Sequence, residues 1–262
     1  MSLVHLIVVA LVQGITEFLP ISSSGHLVLI PVLTGWPDQG RAVDVAAHVG
    51  SLGAVLVYFR RDVAALTAAA LALPRGREHP QRRLLLLLVL ATLPAVVAGA
   101  ALSAWSLRGV EIIAWTMTLG AVLLYLADRF GPTTDSIGDI GWRGALAIGL
   151  AQVLALVPGT SRAGITMTAA RLLGLARDEA ARFSMLLAIP VILGAGALEG
   201  KALVEAGDAQ LGASAALAAL LSFAAALLAI TILMRWLRHA SFTPLVIYRL
   251  ALGFVLLGWV YL

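Results

Sequence analysis

Glu17, Ser22, Ser23, Ser24 and His26 fall within one short stretch of chain, and Ser161 and Arg162 fall within a second. The first stretch offers a carboxylate, three hydroxyls and an imidazole, the groups that abstract protons, attack electrophiles and carry protons near neutral pH. The second offers a guanidinium, whose planar fork suits phosphate oxygens. Cysteine is absent from the chain, which excludes a thiolate nucleophile, thiolate metal sites and disulfides.

Each stretch has the local chemistry of an anion-binding helix start. In the run from Pro20 to His26 the proline breaks a helix, the serines can cap a new one, and Gly25 lets the backbone come close to a ligand. A serine run of this kind also serves as a plain N-cap. The partner run Pro158, Gly159, Thr160, Ser161, Arg162, Ala163, Gly164 repeats the layout and adds the guanidinium. Two such turns meeting at one place point to phosphate or diphosphate, with Ser22, Ser24, Gly25, Gly159, Thr160 and Ser161 as its contacts.

Glu17 could orient water, activate His26, or bind a divalent cation together with substrate oxygens. Gln13 lies one helical turn earlier on the same face, and Asp44 and His48 share a face four residues apart. Asp44 counts as a substrate contact or as a solvated acid at a helix end. Arg249 is expected to snorkel towards the inner membrane boundary.

These residues need elements to carry them. The chain of 262 residues is 61% apolar and only 12% charged, against about 25% charged in soluble domains, so lipid must solvate much of it. Apolar runs at 42–59, 84–104, 110–128, 181–199, 213–234 and 244–262 predict six full membrane spans. Two more, 3–34 and 144–174, are broken by Pro, Gly, Ser and charge and read as re-entrant helix–loop–helix pieces. The first is expected to stay as a span rather than be cleaved as a leader. The expectation is an all-α polytopic membrane protein, one integral domain over 1–262, with a first repeat at about 1–128 and a second at about 142–262.

The net charge of +4 would suit nucleic acid, but the eighteen Arg and Lys sit mainly in connections between apolar runs, as the positive-inside rule places them. With loop 60–83 cytoplasmic, thirteen fall inside, three outside (Arg41, Arg108, Lys201) and two within membrane segments (Arg162, Arg249). The acidic loop with Glu205 and Asp208 then lies outside. The two broken pieces enter from opposite sides, an inverted repeat. Aligning 10–35 with 149–174 pairs Gln13 with Gln152 and, with a one-residue gap, Pro20 with Pro158, Ser23 with Ser161 and Gly35 with Gly174. Such repeats place a site where their broken helices meet. There Glu17 and Arg162, costly alone in lipid at about 2.5–3.5 kcal/mol each, need a ligand or each other; a structural ion pair is the alternative. Trp36, Trp105, Trp142, Trp236 and Trp259 fall near expected span ends, as an aromatic belt or as core contacts.

The stretches GITEFLPISSSGHL (14–27) and PGTSRAGIT (158–166) resemble the undecaprenyl-diphosphate phosphatase family of bacteria, the bacitracin-resistance type. The likeness runs on through DVAAHVGSLGAVLVYF (44–59), FSMLLAIPVILGAGALE (183–199) and PLVIYR (244–249). The resemblance implies hydrolysis of undecaprenyl diphosphate to the monophosphate and phosphate, recycling the lipid carrier of cell-wall synthesis, in the bacterial cytoplasmic membrane and with the outer face favoured. The family's motif of Glu or Gln followed three residues on by Glu falls on Gln13 and Glu17; many members have Glu at the first position, so Gln13 removes one carboxylate. The family's Ser, His and Arg carry over to Ser23, His26 and Arg162.

On this reading Arg162 clamps the diphosphate, Ser23 is the candidate nucleophile, and His26 and Glu17 move protons; direct attack by water is the competing version. Glu17 is the candidate ligand of a divalent cation, Mg or Ca. The expected partners are the bilayer and the polyprenyl diphosphate, with no nucleic acid and with a homodimer left open. A transporter or flippase for a lipid phosphate is the rival class, since it shares the repeat architecture without needing a nucleophile. A phosphohistidine lipid phosphatase fits less well, because after Arg162 no His occurs until His239.

Overall fold

A computed structural model describes residues 1–101, 109–133, 136–206 and 209–262, with side chains for all of these except 41, 195, 197–206, 209 and 210. The expectations for Trp105, Arg108 and Asp208 therefore lie outside the described residues, and those for the side chains of Arg41, Lys201 and Glu205 outside the described side chains. Among those described, the chain is helical and contains no strand. The helices are α1 (Leu3–Thr16), α2 (Ser23–Thr34), α3 (Arg41–Tyr58), α4 (Arg60–Ala72), α5 (Arg82–Ala101), α6 (Val110–Phe130), α7 (Trp142–Val153), α8 (Arg162–Leu172), α9 (Arg177–Ala206), α10 (Ala209–Leu237) and α11 (Thr243–Tyr261).

Four of the described helical stretches are long and apolar enough to cross a membrane: Arg82–Ala101, Val110–Phe130, Leu211–Leu237 and Thr243–Tyr261. They correspond to four of the six expected spans. The expected span at 42–59 is different: α3 bends by 91° into α4, and the pair can be one broken span or a re-entrant piece. The stretch 60–83, expected as a loop, is helical to Ala72, because its Ala- and Leu-rich sequence keeps helix propensity beyond Arg60 and Arg61. The sixth expected span, 181–199, lies within α9.

The two interrupted segments each form a pair of short helices around a break. α1 has 14 residues, about 21 Å at 1.5 Å per residue, well short of a hydrocarbon core of about 30 Å. α2 and α8 are shorter still, with 12 and 11 residues. Both breaks end on a serine in the left-handed region, Ser22 at φ 75° and Ser161 at φ 70°, the only described non-glycine residues there. Each serine caps the helix that follows: Ser22 Oγ accepts from Gly25 N at 3.2 Å and Ser161 Oγ from Gly164 N at 3.0 Å.

This correspondence corrects the pairing drawn from the sequence. Ser22, not Ser23, is the counterpart of Ser161, and Ser23 stands where Arg162 does. The same constant offset relates Gln13 to Gln152 and Gly35 to Gly174, so no gap is needed. Gly35 (φ 69°) and Gly174 (φ 101°) lie just beyond the ends of α2 and α8 in the same left-handed form.

Packing knits the two halves together. α1 and α3 lie against α10, α7 lies against α5, and α6 lies against α11. Small residues set these approaches, as in other membrane bundles. A Cβ built on Gly50 would stand 2.0 Å from the carbonyl oxygen of Ala219 on α10, and one on Gly149 would stand 2.6 Å from that of Ala91 on α5.

At another meeting point the fully buried Arg171 and the partly exposed Arg177 share Asp128, at 3.3 and 2.7 Å. Asp128 also accepts the backbone N–H of Phe242 at 3.1 Å, tying α6, α8, α9 and α11.

Candidate active site

The breaks bring Glu17, which follows α1, to Ser23 at the start of α2 and to Arg162 at the start of α8. Glu17 is 7% exposed and engages both carboxylate oxygens. Oε1 accepts from Arg162 Nη2 at 3.0 Å, while Oε2 accepts from Ser23 Oγ and Gln13 Nε2, each at 2.7 Å. The two charges that lipid would penalise singly thus meet each other, and the ion pair left open by the sequence is present. The pair does not use up the guanidinium: Arg162 Nη1 is buried without a hydrogen-bond partner. Such an unmet donor is costly unless something binds it.

What it could bind has room beside it. A cavity of about 290 Å³ is lined by Glu17, Ser23, Ser24, Ser161 and Arg162, with Val45, His48, Ala155, Val191, Ile192 and Gly196 completing the wall. Its polar side holds a hydroxyl already hydrogen-bonded to a carboxylate and a guanidinium with a free arm. That set can deprotonate a nucleophile and neutralise charge on a phosphoryl group.

The other residues singled out from sequence take supporting places. Ser22 turns its hydroxyl to the α2 cap and also lies 3.4 Å from Ser24 Oγ. Gly25 packs near Ile113 and Met117 of α6, where an added side chain would be tight, and Gly159 against Ile113 and Thr116, where one would collide. Thr160 contributes its carbonyl to Arg249. Asp44 accepts from Gln39 Nε2 at 2.7 Å and gives its carbonyl to His48; it does not line the cavity.

His26 is not brought to this cavity either. Its Nδ1 lies 2.7 Å from the carbonyl oxygen of Ser22, so Nδ1 carries a hydrogen, and its Nε2 accepts from Tyr248 Oη at 2.6 Å. The two rings stack at 5.7 Å.

Two residues that sequence reasoning did not place here belong to the site. His48 Nε2 lies 3.5 Å from Glu17 Oε2. Its spacing from Asp44 marked a polar helix face, but nothing local showed that α3 would turn that face towards α1. Arg249, expected to snorkel, is instead fully buried and binds carbonyls of both breaks: Pro20 at 3.1 Å, Gly159 at 3.3 Å and Thr160 at 3.0 Å, with Thr116 at 3.4 Å. The signal was a charge inside the apolar run of α11. The correction follows from geometry, since the breaks leave carbonyls that no helix satisfies and that need a donor in lipid.

The model of the family described as bacitracin resistance protein BacA matches residues 6–255. The chain belongs to the BacA family. Among the curated members, an undecaprenyl-diphosphatase of Ruegeria pomeroyi is 53% identical over the full length of both chains. One of Dinoroseobacter shibae is 52% identical over 98% of each. The undecaprenyl-diphosphatase 1 of Rhodospirillum rubrum is 49% identical over all of this chain and 96% of its own.

The cation expected for this family meets a poor donor set here. Glu17 is the one carboxylate of the cavity, both its oxygens are engaged, and a guanidinium stands 3.0 Å away. Gln13 presents an amide, and among the described residues no three His, Asp or Glu side chains converge. With a single carboxylate at the cavity, a divalent cation here would take most of its oxygen ligands from the substrate.

Proposed function

We infer that this polytopic membrane protein is an undecaprenyl-diphosphatase, hydrolysing undecaprenyl diphosphate to the monophosphate and inorganic phosphate. In this role it recycles the lipid carrier of peptidoglycan synthesis and confers bacitracin resistance. The observation that carries the site assignment is the junction at Glu17, where a serine hydroxyl and an arginine with one unmet donor converge on one carboxylate beside a cavity.

In the mechanism this geometry favours, Arg162 holds the terminal phosphate through Nη1 while Nη2 keeps Glu17 in place. Glu17 Oε2 takes the proton of Ser23 Oγ, to which it is already hydrogen-bonded at 2.7 Å. The Oγ–P bond forms as the bridging P–O bond breaks, and undecaprenyl phosphate leaves with the electron pair. Water then attacks the phosphoserine, inorganic phosphate departs, and Ser23 regains a proton. Ser23 sits at the first turn of α2, whose backbone N–H groups and dipole favour the incoming anion. His26, bonded to Tyr248, has no part in these steps.

A divalent cation, Mg or Ca, is on this reading the counter-ion of the diphosphate and arrives with it. The proposed setting is the bacterial cytoplasmic membrane, with the two halves inserted in opposite orientation; a homodimer is compatible with it, and nucleic acid has no role.

Purified protein in proteoliposomes, given undecaprenyl diphosphate labelled in its terminal phosphate, tests the assignment. Equal amounts of monophosphate and inorganic phosphate are expected. Transfer of intact diphosphate between leaflets without phosphate release would favour the transporter instead.

A further inference from the structure

Three side chains approach Glu17 Oε2, and they differ in what they can do there. Ser23 Oγ and Gln13 Nε2 donate to it at 2.7 Å. His48 Nε2 stands at 3.5 Å, and the hydrogen on its ring is fixed elsewhere. Nδ1 lies 2.7 Å from the carbonyl oxygen of Asp44, one turn earlier on α3. A carbonyl only accepts, so Nδ1 carries the hydrogen and the neutral ring presents a lone pair at Nε2. That lone pair faces Glu17 Oε2 at 3.5 Å, where it can accept a proton that the carboxylate has taken up.

The ring is also placed to use that proton. Its side chain is 34% exposed and lines the same cavity as Ser23 and Arg162. Glu17 and Arg162 are the charged groups facing it among the described cavity residues, the α9 wall contributing Val191, Ile192 and Gly196. Gln13, the other neighbour of Oε2, is an amide and cannot exchange a proton at neutral pH.

We propose that His48 is the proton-relay residue of the hydrolysis, acting through Glu17. The inference rests on the phosphatase reading above. As Ser23 Oγ bonds to phosphorus and the bridging P–O bond breaks, the serine proton passes to Glu17 Oε2 and on to His48 Nε2. When water attacks the phosphoserine, His48 returns that proton through Glu17 to the departing Oγ. The attacking water keeps its hydrogens, which leave on inorganic phosphate.

The test measures kcat and KM for phosphate release by the purified wild type, His48→Gln, and His48→Gln combined with Gln13→Glu. The glutamine keeps a polar side chain of similar reach but moves no proton. Its kcat is expected to fall about 100-fold, within the usual range for a lost proton-transfer group, while KM stays within about threefold. Gln13→Glu puts a second proton-active group beside Glu17 and is expected to recover at least about tenfold of that loss. A His48→Gln kcat within about threefold of wild type overturns the relay. So does a loss that Gln13→Glu leaves untouched, because the imidazole would then have served by its shape. Should His48→Gln unfold, His48→Ala with and without added imidazole carries the test: recovery of kcat by imidazole supports the relay and its absence overturns it. No phosphate release by the wild type would instead overturn the phosphatase reading beneath it.

Discussion

Glu17 illustrates how a membrane protein can keep a carboxylate at depth. Its charge is met by a guanidinium at 3.0 Å and two neutral donors at 2.7 Å, so removing it strands Arg162, whose side chain is only 14% exposed. Breaking a buried pair from one side costs about 3–5 kcal/mol. Glu17→Ala is therefore expected to lower the thermal unfolding midpoint far more than Ser23→Ala, which deletes a single hydroxyl; equal midpoints would show that the pair is not holding the halves together. The two strained serines make a second prediction. At Ser161, Ala loses the cap on Gly164 N and keeps the unfavourable positive φ, whereas Gly accepts that φ. Ser161→Ala is expected to cost about 1–2 kcal/mol and Ser161→Gly only a few tenths, read by denaturation in detergent. Glu17 and Arg162 were legible because charges are rare and costly inside apolar runs, and Ser23 through the family resemblance. The equivalence of Ser22 with Ser161 was not, because side-chain identity favours pairing Pro with Pro, while the backbone angle that defines the turn leaves no mark on a serine.

Among the elements, the broken helices depend on a residue far from them in sequence. Arg249 of α11 gathers the carbonyls of Pro20, Gly159 and Thr160, holding the two breaks at a fixed separation. Arg249→Lys, with one nitrogen instead of a fork, is expected to lower kcat at least tenfold while the protein still inserts and purifies; activity within twofold of wild type would refute the tie. The helix seams make a related prediction. Gly50→Ala would drive a methyl into the backbone of α10 and is expected to lower the unfolding midpoint by several degrees, an unchanged midpoint arguing against that close approach. The rough places of the apolar helices were readable from hydropathy, but not their number as spans: six were expected, and four described stretches qualify, or five with the bent pair. The 91° bend after α3 was not readable either, for the chain stays helix-prone through Arg60, Arg61 and Asp62, and only packing decides where such a helix turns. His48 was missed for the same reason: its place beside Glu17 depends on how α3 packs, which no local pattern records.

For the molecule as a whole, the two halves share a local plan but contribute unequal chemistry at matching places, the hydroxyl of Ser23 in one and the guanidinium of Arg162 in the other. The hydrolase thus needs both breaks at one cavity, and neither half holds the whole set. With Glu17 committed to Arg162, a chelator is expected to raise KM for the diphosphate without shifting the unfolding midpoint of the substrate-free protein. A lowered midpoint would instead indicate an ion held by the protein itself. The mechanism depends above all on Arg162 clamping the phosphate while its other arm steadies Glu17. The most direct measurement is phosphate release from undecaprenyl diphosphate by purified Arg162→Ala and Arg162→Lys beside the wild type, each checked for folding. A loss of at least about a thousandfold in kcat/KM is expected for Ala, with little recovery by Lys, whose ammonium lacks the rigid planar fork that spans carboxylate and phosphate in fixed geometry. Turnover by Arg162→Ala within tenfold of wild type would contradict the mechanism.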